Sequence, residues 1–293
     1  MDRKCQNVGK GRSERTAFMS KIWFITGAAR GFGRLWAEGA LGRGDRVAAS
    51  VRNPESLADL LDTYGDRVLP LRVDVTDRDA VFEAVATAHG HFGRLDIILS
   101  NAGYGLMGAI EETSFADVRD VFATNVFGTI SLVRAALPFL RERGSGHILP
   151  VSSLAGLMAV PMAGIYEATK FAIEGFAEAL AAEISAFGIR TTIIEPGAYA
   201  TDFLSGSSLK TAEPMAIYNK VRDDLAQMLT AEMLGDPAAT WPAIAKVVDS
   251  DDPPLRLILG DNLPMIRQIY DGRMKTWEAW ENVSKAAQGA RRA

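Results

Sequence analysis

The apolar run at residues 21–26 (KIWFIT) breaks into Gly27-Ala28-Ala29-Arg30-Gly31-Phe32-Gly33, and a helical pattern through Leu35, Trp36, Ala40 and Leu41 then runs to Gly42–Gly44. Few architectures accept strand, glycine turn and helix in immediate succession. Glycines there permit a tight turn, and they let backbone N–H groups at the helix N-terminus approach a pyrophosphate. The spacing is G-x-x-x-G-x-G, not G-x-G-x-x-G, so the strand-to-helix context carries the signal. The alternative is an ordinary surface loop.

Further apolar runs follow at 46–51, 68–73, 95–100, 146–152, 190–195 and 255–259. Helical patterns lie between them: one capped by Thr76 and reaching about His91, one from Ser114 to about Arg143, and one after Pro161 that ends at Gly188. Helices are also expected at 214–234, 238–248 and from 261 to about 285. Strands alternating with helices predict an α/β fold with a parallel sheet. One domain over 21–285 is the natural division, with 202–250 forming a substrate-binding lid.

At the end of the second run stand Ser50-Val51-Arg52-Asn53, where dinucleotide folds usually carry a carboxylate for the ribose 2′-hydroxyl. A guanidinium there suits a 2′-phosphate, and Arg30 can reach the same corner. NADP(H) is therefore favoured over NAD(H). Asp74-Val75 is expected against the adenine edge, and the small Asn101-Ala102-Gly103 closes the fourth strand where backbone meets a ligand.

The segment 152–170 (SSLAGLMAVPMAGIYEATK) places Tyr166 and Lys170 four apart, on one helix face. A phenol titrates near ~10, and an ammonium about 4 Å away supplies roughly the 4 kcal/mol needed to bring it near ~7. Chemistry is thus available without metal, cysteine or histidine. Ser152 and Ser153 both fall at a strand end, and alternation lets only one face the cleft. Asn125, amid Phe122, Val126, Phe127 and Ile130, reads as either a satisfied core amide or part of a site.

The chain has 293 residues, and a net charge of −4 gives no reason to expect nucleic acid or an anionic membrane as partner. The sole cysteine, Cys5, excludes an internal disulfide and suits a reducing, cytoplasmic setting. Residues 1–20 read as a basic, polar, disordered tail, with Met19 a possible start. The uncharged stretch from His147 to Tyr166 contains Pro150 and Pro161 and reads as strand plus loop, not as a membrane span. His89 and His91 have no cysteine or carboxylate cluster nearby, so no metal site is expected.

Together these residues resemble the short-chain dehydrogenase/reductase family: TGAARGFG at 26–33, DV at 74–75, NAG at 101–103, Asn125, Ser153, YEATK at 166–170 and PG at 196–197, in the family's order. Thr169 stands where the family usually has serine. The resemblance implies a doubly wound parallel sheet of about seven strands, the Rossmann fold, ordered 3-2-1-4-5-6-7 with helices on both faces. It selects Ser153 to polarise a substrate carbonyl, Tyr166 as general acid/base, and Lys170 to hold the nicotinamide ribose and depress the tyrosine pKa. It makes Asn125 part of a water relay to Lys170. Gly27, Arg30, Gly31, Phe32, Gly33, Arg52, Asp74, Val75, Asn101, Ala102 and Gly103 would bind the cofactor, with Tyr166, Lys170, Pro196, Gly197, Tyr199 and Thr201 at its nicotinamide end. Association as a homodimer or homotetramer is implied by the same analogy.

The function expected is NADP(H)-dependent interconversion of a carbonyl and a secondary alcohol. Similarity to the hydroxysteroid and retinol dehydrogenase branch, with Met107, Met158 and Met162 possible cleft residues, suggests a bulky apolar substrate. The methionines Met215, Met228 and Met233 read equally as core or as a pliable lid. A cofactor-sensing protein without turnover is the alternative, which the complete Ser153, Tyr166 and Lys170 set opposes.

Overall fold

In the computed structural model the described residues are 20–201, 208–228 and 233–289. The expected tail, apart from Ser20, and the stretches 202–207 and 229–232 of the expected lid lie outside them, as do Met19 and the side chain of Met228.

Six parallel strands form the main sheet in the order β3-β2-β1-β4-β6-β7. They are β1 (Ile22–Thr26), β2 (Arg46–Val51), β3 (Val68–Arg72), β4 (Ile97–Ser100), β6 (Gly146–Pro150) and β7 (Ile189–Thr191). Every residue of β1 is buried, because helices cover both faces. Side chains alternate between two cores: Trp23 and Ile25 pack against α1 (Gly31–Gly42) and α8 (Trp241–Asp249). Ile22 and Phe24 face the opposite way, against α3 (Arg78–Phe92) and α5 (Gly128–Arg143).

The sixth expected strand is split. Thr192 interrupts it between β7 and β8 (Ile193–Pro196), donating its hydroxyl to the Pro254 carbonyl at 2.6 Å. The expected seventh strand, β10 (Arg256–Leu259), pairs with β8. A bridge from Val151 to Ile194 carries the sheet from the end of β6 onto that pair. The topology is thus the expected one, with six strands in the continuous ladder and the last step displaced.

Other elements depart from expectation. Asp77, not Thr76, caps α3, accepting from the N–H groups of Asp79 and Ala80; Thr76 instead bonds Asp74. A short helix α2 (Ala58–Tyr64) sits between β2 and β3. The long helix after Ser114 runs as α4 (Phe115–Phe122), a π turn (Ala123–Phe127) and α5. That run is long and apolar enough to cross a bilayer by composition, yet α5 spends its apolar face on the second core. The expected final helix breaks at Trp280 into α9 (Leu263–Ala279) and α10 (Glu281–Gln288). The helix expected at 214–234 starts later, as a 3-10 turn (Ala216–Tyr218) leading into α7 (Asn219–Met228), and 229–232 lie outside the described residues. A second small sheet joins β5 (Gly105–Met107) to β9 (Leu209–Thr211).

Candidate active site

Parallel strands present their C-terminal ends at one sheet edge, where an open α/β fold binds ligands. The loop leaving β1 turns through Gly27 (φ 68°) and Gly31 (φ 55°), left-handed conformations that suit glycine. A Cβ on Gly31 would meet nothing within 4 Å, so this backbone faces open space. Gly33 does the opposite: a Cβ there would stand 2.4 Å from the Gly27 carbonyl and from Asn101 Nδ2. Its role is close packing of helix on strand. Arg30 precedes α1 in extended conformation with no side-chain cap bond, which leaves the first-turn N–H groups available to an anionic group.

A cavity of about 720 Å³ opens beside this loop. Of the residues expected at a cofactor, Gly27, Arg30, Gly31, Phe32, Arg52, Asp74, Val75, Asn101, Ala102, Gly103 and Thr201 line it. Gly33, Pro196, Gly197, Tyr199, Tyr166 and Lys170 are not on its wall. Gly197 is pressed against Asn262 Nδ2, where a Cβ would come within 2.4 Å. Tyr199 sets its ring edge-on to Phe32 at 5.3 Å. The Asp74 carboxyl is held below its usual range by the Thr76 N–H and hydroxyl, with the charge of Arg52 adding to this. An anion-receptive helix end, an open glycine and an arginine on the β2 end fit a dinucleotide in this cavity.

Tyr166 and Lys170 lie on α6 (Gly164–Ile184), one turn apart as expected. The Tyr166 hydroxyl hydrogen-bonds Ser153, whose Oγ also donates to the Pro196 carbonyl at 3.4 Å. Lys170 Nζ lies 5.7 Å from the centre of the Tyr166 ring and donates to the Val151 carbonyl at 3.0 Å. The expectation of an acidified phenol is not met in this form of the protein. Burial pushes the Tyr166 pKa up, and only the Ser153 bond opposes it, with the charge of Glu167 adding to the rise. The ammonium sits over the ring and donates to a backbone carbonyl. Burial lowers the Lys170 pKa to about 8, against the opposing charge of Glu174.

Asn125 is buried in the π turn. Its Nδ2 donates to the Tyr104 carbonyl at 3.0 Å and to Thr169 Oγ1 at 3.1 Å, and its Oδ1 accepts from the Tyr104 N–H at 3.0 Å. Its own carbonyl accepts from Thr129 Oγ1 at 2.9 Å. The side chain is therefore a satisfied amide that ties α6 to the strand following Gly103. Sequence reasoning missed the partners. Thr26 Oγ1 receives the N–H groups of Asn101 and Ala102 at 3.0 and 3.1 Å. Thr169 donates to the Tyr166 carbonyl at 2.6 Å. Only the position of each threonine beside a glycine or tyrosine motif could have drawn attention to it.

His89 stacks on Phe139 and His91 sets edge-on to Phe92, and no metal-binding group of side chains occurs among the described residues. Met162 is buried at φ 70°, and Met158 packs against the Leu154, Leu157 and Ile266 cluster.

The short chain dehydrogenase family model matches residues 21–211. The chain belongs to the short-chain dehydrogenase family. The oxidoreductase BOA17 of Botryotinia fuckeliana is 37% identical over 92% of this chain and 100% of its own. The 3-ketodihydrosphingosine reductase of Bacteroides thetaiotaomicron is 32% identical over 88% and 93%. Among solved structures, a short-chain dehydrogenase from Streptomyces avermitilis superposes with TM-score 0.87 at 36% identity, covering 92% of this chain and 99% of that one. ElxO with NADP bound gives 0.71 at 25%, covering 83% and 98%. A Burkholderia phymatum short-chain dehydrogenase with NAD gives 0.73 at 27%, covering 88% and 96%. The chain is thus an oxidoreductase of this family with a nucleotide-binding Rossmann fold, and solved relatives carry either nicotinamide cofactor.

Proposed function

We propose that this short-chain dehydrogenase interconverts a carbonyl and a secondary alcohol with NADP(H), and that its substrate is bulky and apolar. The carrying observation is the hydrogen-bonded Ser153–Tyr166 hydroxyl pair, with the Lys170 ammonium over the phenol ring. A bound nicotinamide would supply the hydride chemistry. The chain's own residues do the rest. Burial keeps the Tyr166 phenol protonated, so it is a proton donor to an alkoxide oxygen forming beside it. Ser153, by turning its hydroxyl proton from the Pro196 carbonyl, donates to the same oxygen, and the Ala155 N–H on Ser153 Oγ at 3.2 Å holds that oxygen in position. Lys170 supplies positive charge near the phenol, which assists the reverse proton transfer.

Preference for NADP(H) rests on Arg52 at the end of β2 and on the lack of a carboxylate in Ser50-Val51-Arg52-Asn53. The relative named as a 3-ketodihydrosphingosine reductase is in keeping with an apolar substrate. Exposed Phe115, Phe127 and Phe171 support association of two or four copies through α4, the π turn and α6. The test is NADPH and NADH oxidation against small, aromatic, steroid and long-chain ketones. Turnover of the bulky ketones with NADPH is expected, lost in Tyr166→Phe with NADPH binding kept; an equally active Tyr166→Phe variant would overturn the reading. Arg52→Asp should turn preference toward NADH.

A further inference from the structure

Directly behind the serine and lysine of this site lie two buried carboxyl groups that the mechanism above does not use. Glu174 sits one turn after Lys170 on α6 and is 6% exposed; Glu195 on β8 is 0% exposed. Arg256 on β10 serves both, its Nε 3.1 Å from Glu174 Oε2 and 3.5 Å from Glu195 Oε1. Its Nη2 is engaged at 2.7 Å by Glu178, an exposed third carboxylate. One guanidinium therefore faces three acids. Both oxygens of Glu195 lack a hydrogen-bond donor of good geometry, Arg256 Nε reaching Oε1 only as an ion-pair contact, and the neutral group beside Glu174 is the Ser152 hydroxyl, which opposes the rise in its pKa. Two adjacent buried carboxylates that share one guanidinium are costly when both are charged. A single proton between them makes one acid a donor to the other and leaves one negative charge for Arg256.

The surroundings couple this pair to the catalytic groups. A Cβ on Gly156 would lie 2.6 Å from Ser152 Oγ and 3.1 Å from Glu174 Oε1, so glycine lets serine and acid converge. The neighbours of Glu195 hold the serine turn: the Ile194 carbonyl accepts from the Ser152 N–H at 2.8 Å, and the Pro196 carbonyl from Ser153 Oγ. The charged groups facing the pair among the described residues are Lys170 and Glu178 from α6 and Arg256 from β10; the turn after β6 brings only uncharged Ser152 and Gly156.

We propose that Glu174 and Glu195 hold one proton between their carboxyl groups, and that this pair, clamped by Arg256, positions the catalytic site from behind. It orders Ser152 beside Ser153 and sets one negative charge next to Lys170. Both acids are pushed up by burial, Glu195 to about 8, which agrees with one of them staying protonated at neutral pH. The positioning role rests on the reading of Ser153 and Lys170 given above; the proton sharing does not.

The first test is infrared spectroscopy of the whole protein without cofactor. At neutral pH a protonated-carboxyl C=O band should be present, titrate away near pH 8, and be missing in Glu195→Gln. A wild-type protein without that band would overturn the shared proton, whether or not the enzyme is active. The second is kinetic. Glu195→Ala should lower kcat at least about tenfold with little change in cofactor KM, and Glu195→Gln, which can donate the same bond, should restore it to within about threefold. In Glu174→Gln the one negative charge is left on Glu195, so Lys170 loses the neighbouring Glu174 charge that raises its pKa and the alkaline limb of the kcat profile should move to lower pH. Equal losses in the Ala and Gln variants, or an unmoved alkaline limb, would overturn the positioning role. Failure of every ketone with the wild type would count against the proposed reaction and leave the infrared result standing.

Discussion

Asn125 grips the main chain of Tyr104 at both ends, its Oδ1 on the N–H and its Nδ2 on the carbonyl, each at 3.0 Å. The amide thus fixes the strand that follows the Asn101-Ala102-Gly103 turn, and Thr169 on α6 shares the same Nδ2. Asn125→Ala removes three bonds from a buried position and strands their partners. A loss of about 2–4 kcal/mol in urea unfolding is expected, with a fall in kcat. Equal stability in the variant would show that the grip is incidental.

Gly31 and Gly33 should respond differently to the same methyl group. Gly31→Ala meets open space at φ 55° and should cost only about 1–2 kcal/mol of backbone strain. Yet it places a side chain where backbone faces the cavity, so cofactor affinity should fall clearly. The Cβ of Gly33→Ala would stand 2.4 Å from both the Gly27 carbonyl and Asn101 Nδ2, so both must move, and it should lower the melting temperature more. Thermal melts and cofactor titrations separate the two effects.

His147 gives the fold a dependence on acid. It is buried on β6, bonded to Thr192 Oγ1 at 2.9 Å, and burial depresses its pKa to about 3. The unfolded chain binds a proton below about 6.5 that the folded chain refuses. Stability is therefore full above that pH and falls below it, by at most about 1.4 kcal/mol per pH unit, until pH 3. His147→Gln should flatten this slope in melts recorded from neutral to acid pH; an unchanged slope would place the acid sensitivity elsewhere.

Glu112 fastens the segment after β9. Its carboxylate accepts the N–H groups of Ala109 and Met215 and pairs with Arg222 on α7, each at 2.7 Å. The Met215 N–H contributes most to holding its pKa below the usual carboxylate range. Glu112→Gln should raise KM for the carbonyl substrate and quicken proteolysis near residues 212–225, while the cofactor dissociation constant stays put. A change in cofactor binding alone would contradict this assignment.

Much of the architecture was legible because periodicity and glycine placement are local. The β1–glycine–α1 unit, the helix carrying Tyr166 and Lys170, and the helix starting at Ser114 can each be read from a few neighbouring residues. What escaped depends on residues far apart in the chain. Thr26 caps the turn at 101–102 across 75 residues, and β5 meets β9 more than a hundred residues later. The phenol's protonation state was misjudged for a related reason. Helix spacing places Lys170 beside Tyr166, but the burial that raises the phenol's pKa and the Val151 carbonyl that accepts from the ammonium come from elsewhere in the chain. The Glu174–Glu195 pair was invisible for the same cause, each acid reading alone as a helix or strand residue.

The wide turn at Ala123–Phe127 has a consequence for how this enzyme can vary. One surplus residue per turn offsets the two flanking helices by about 100° of rotation, so each keeps its own greasy stripe in phase while Asn125 looks elsewhere. Removing a single residue there would turn one flanking helix by about 100° against the other, take its stripe off the core and swing the amide off its target. Tolerance to length change along this long rod should therefore collapse at that one place.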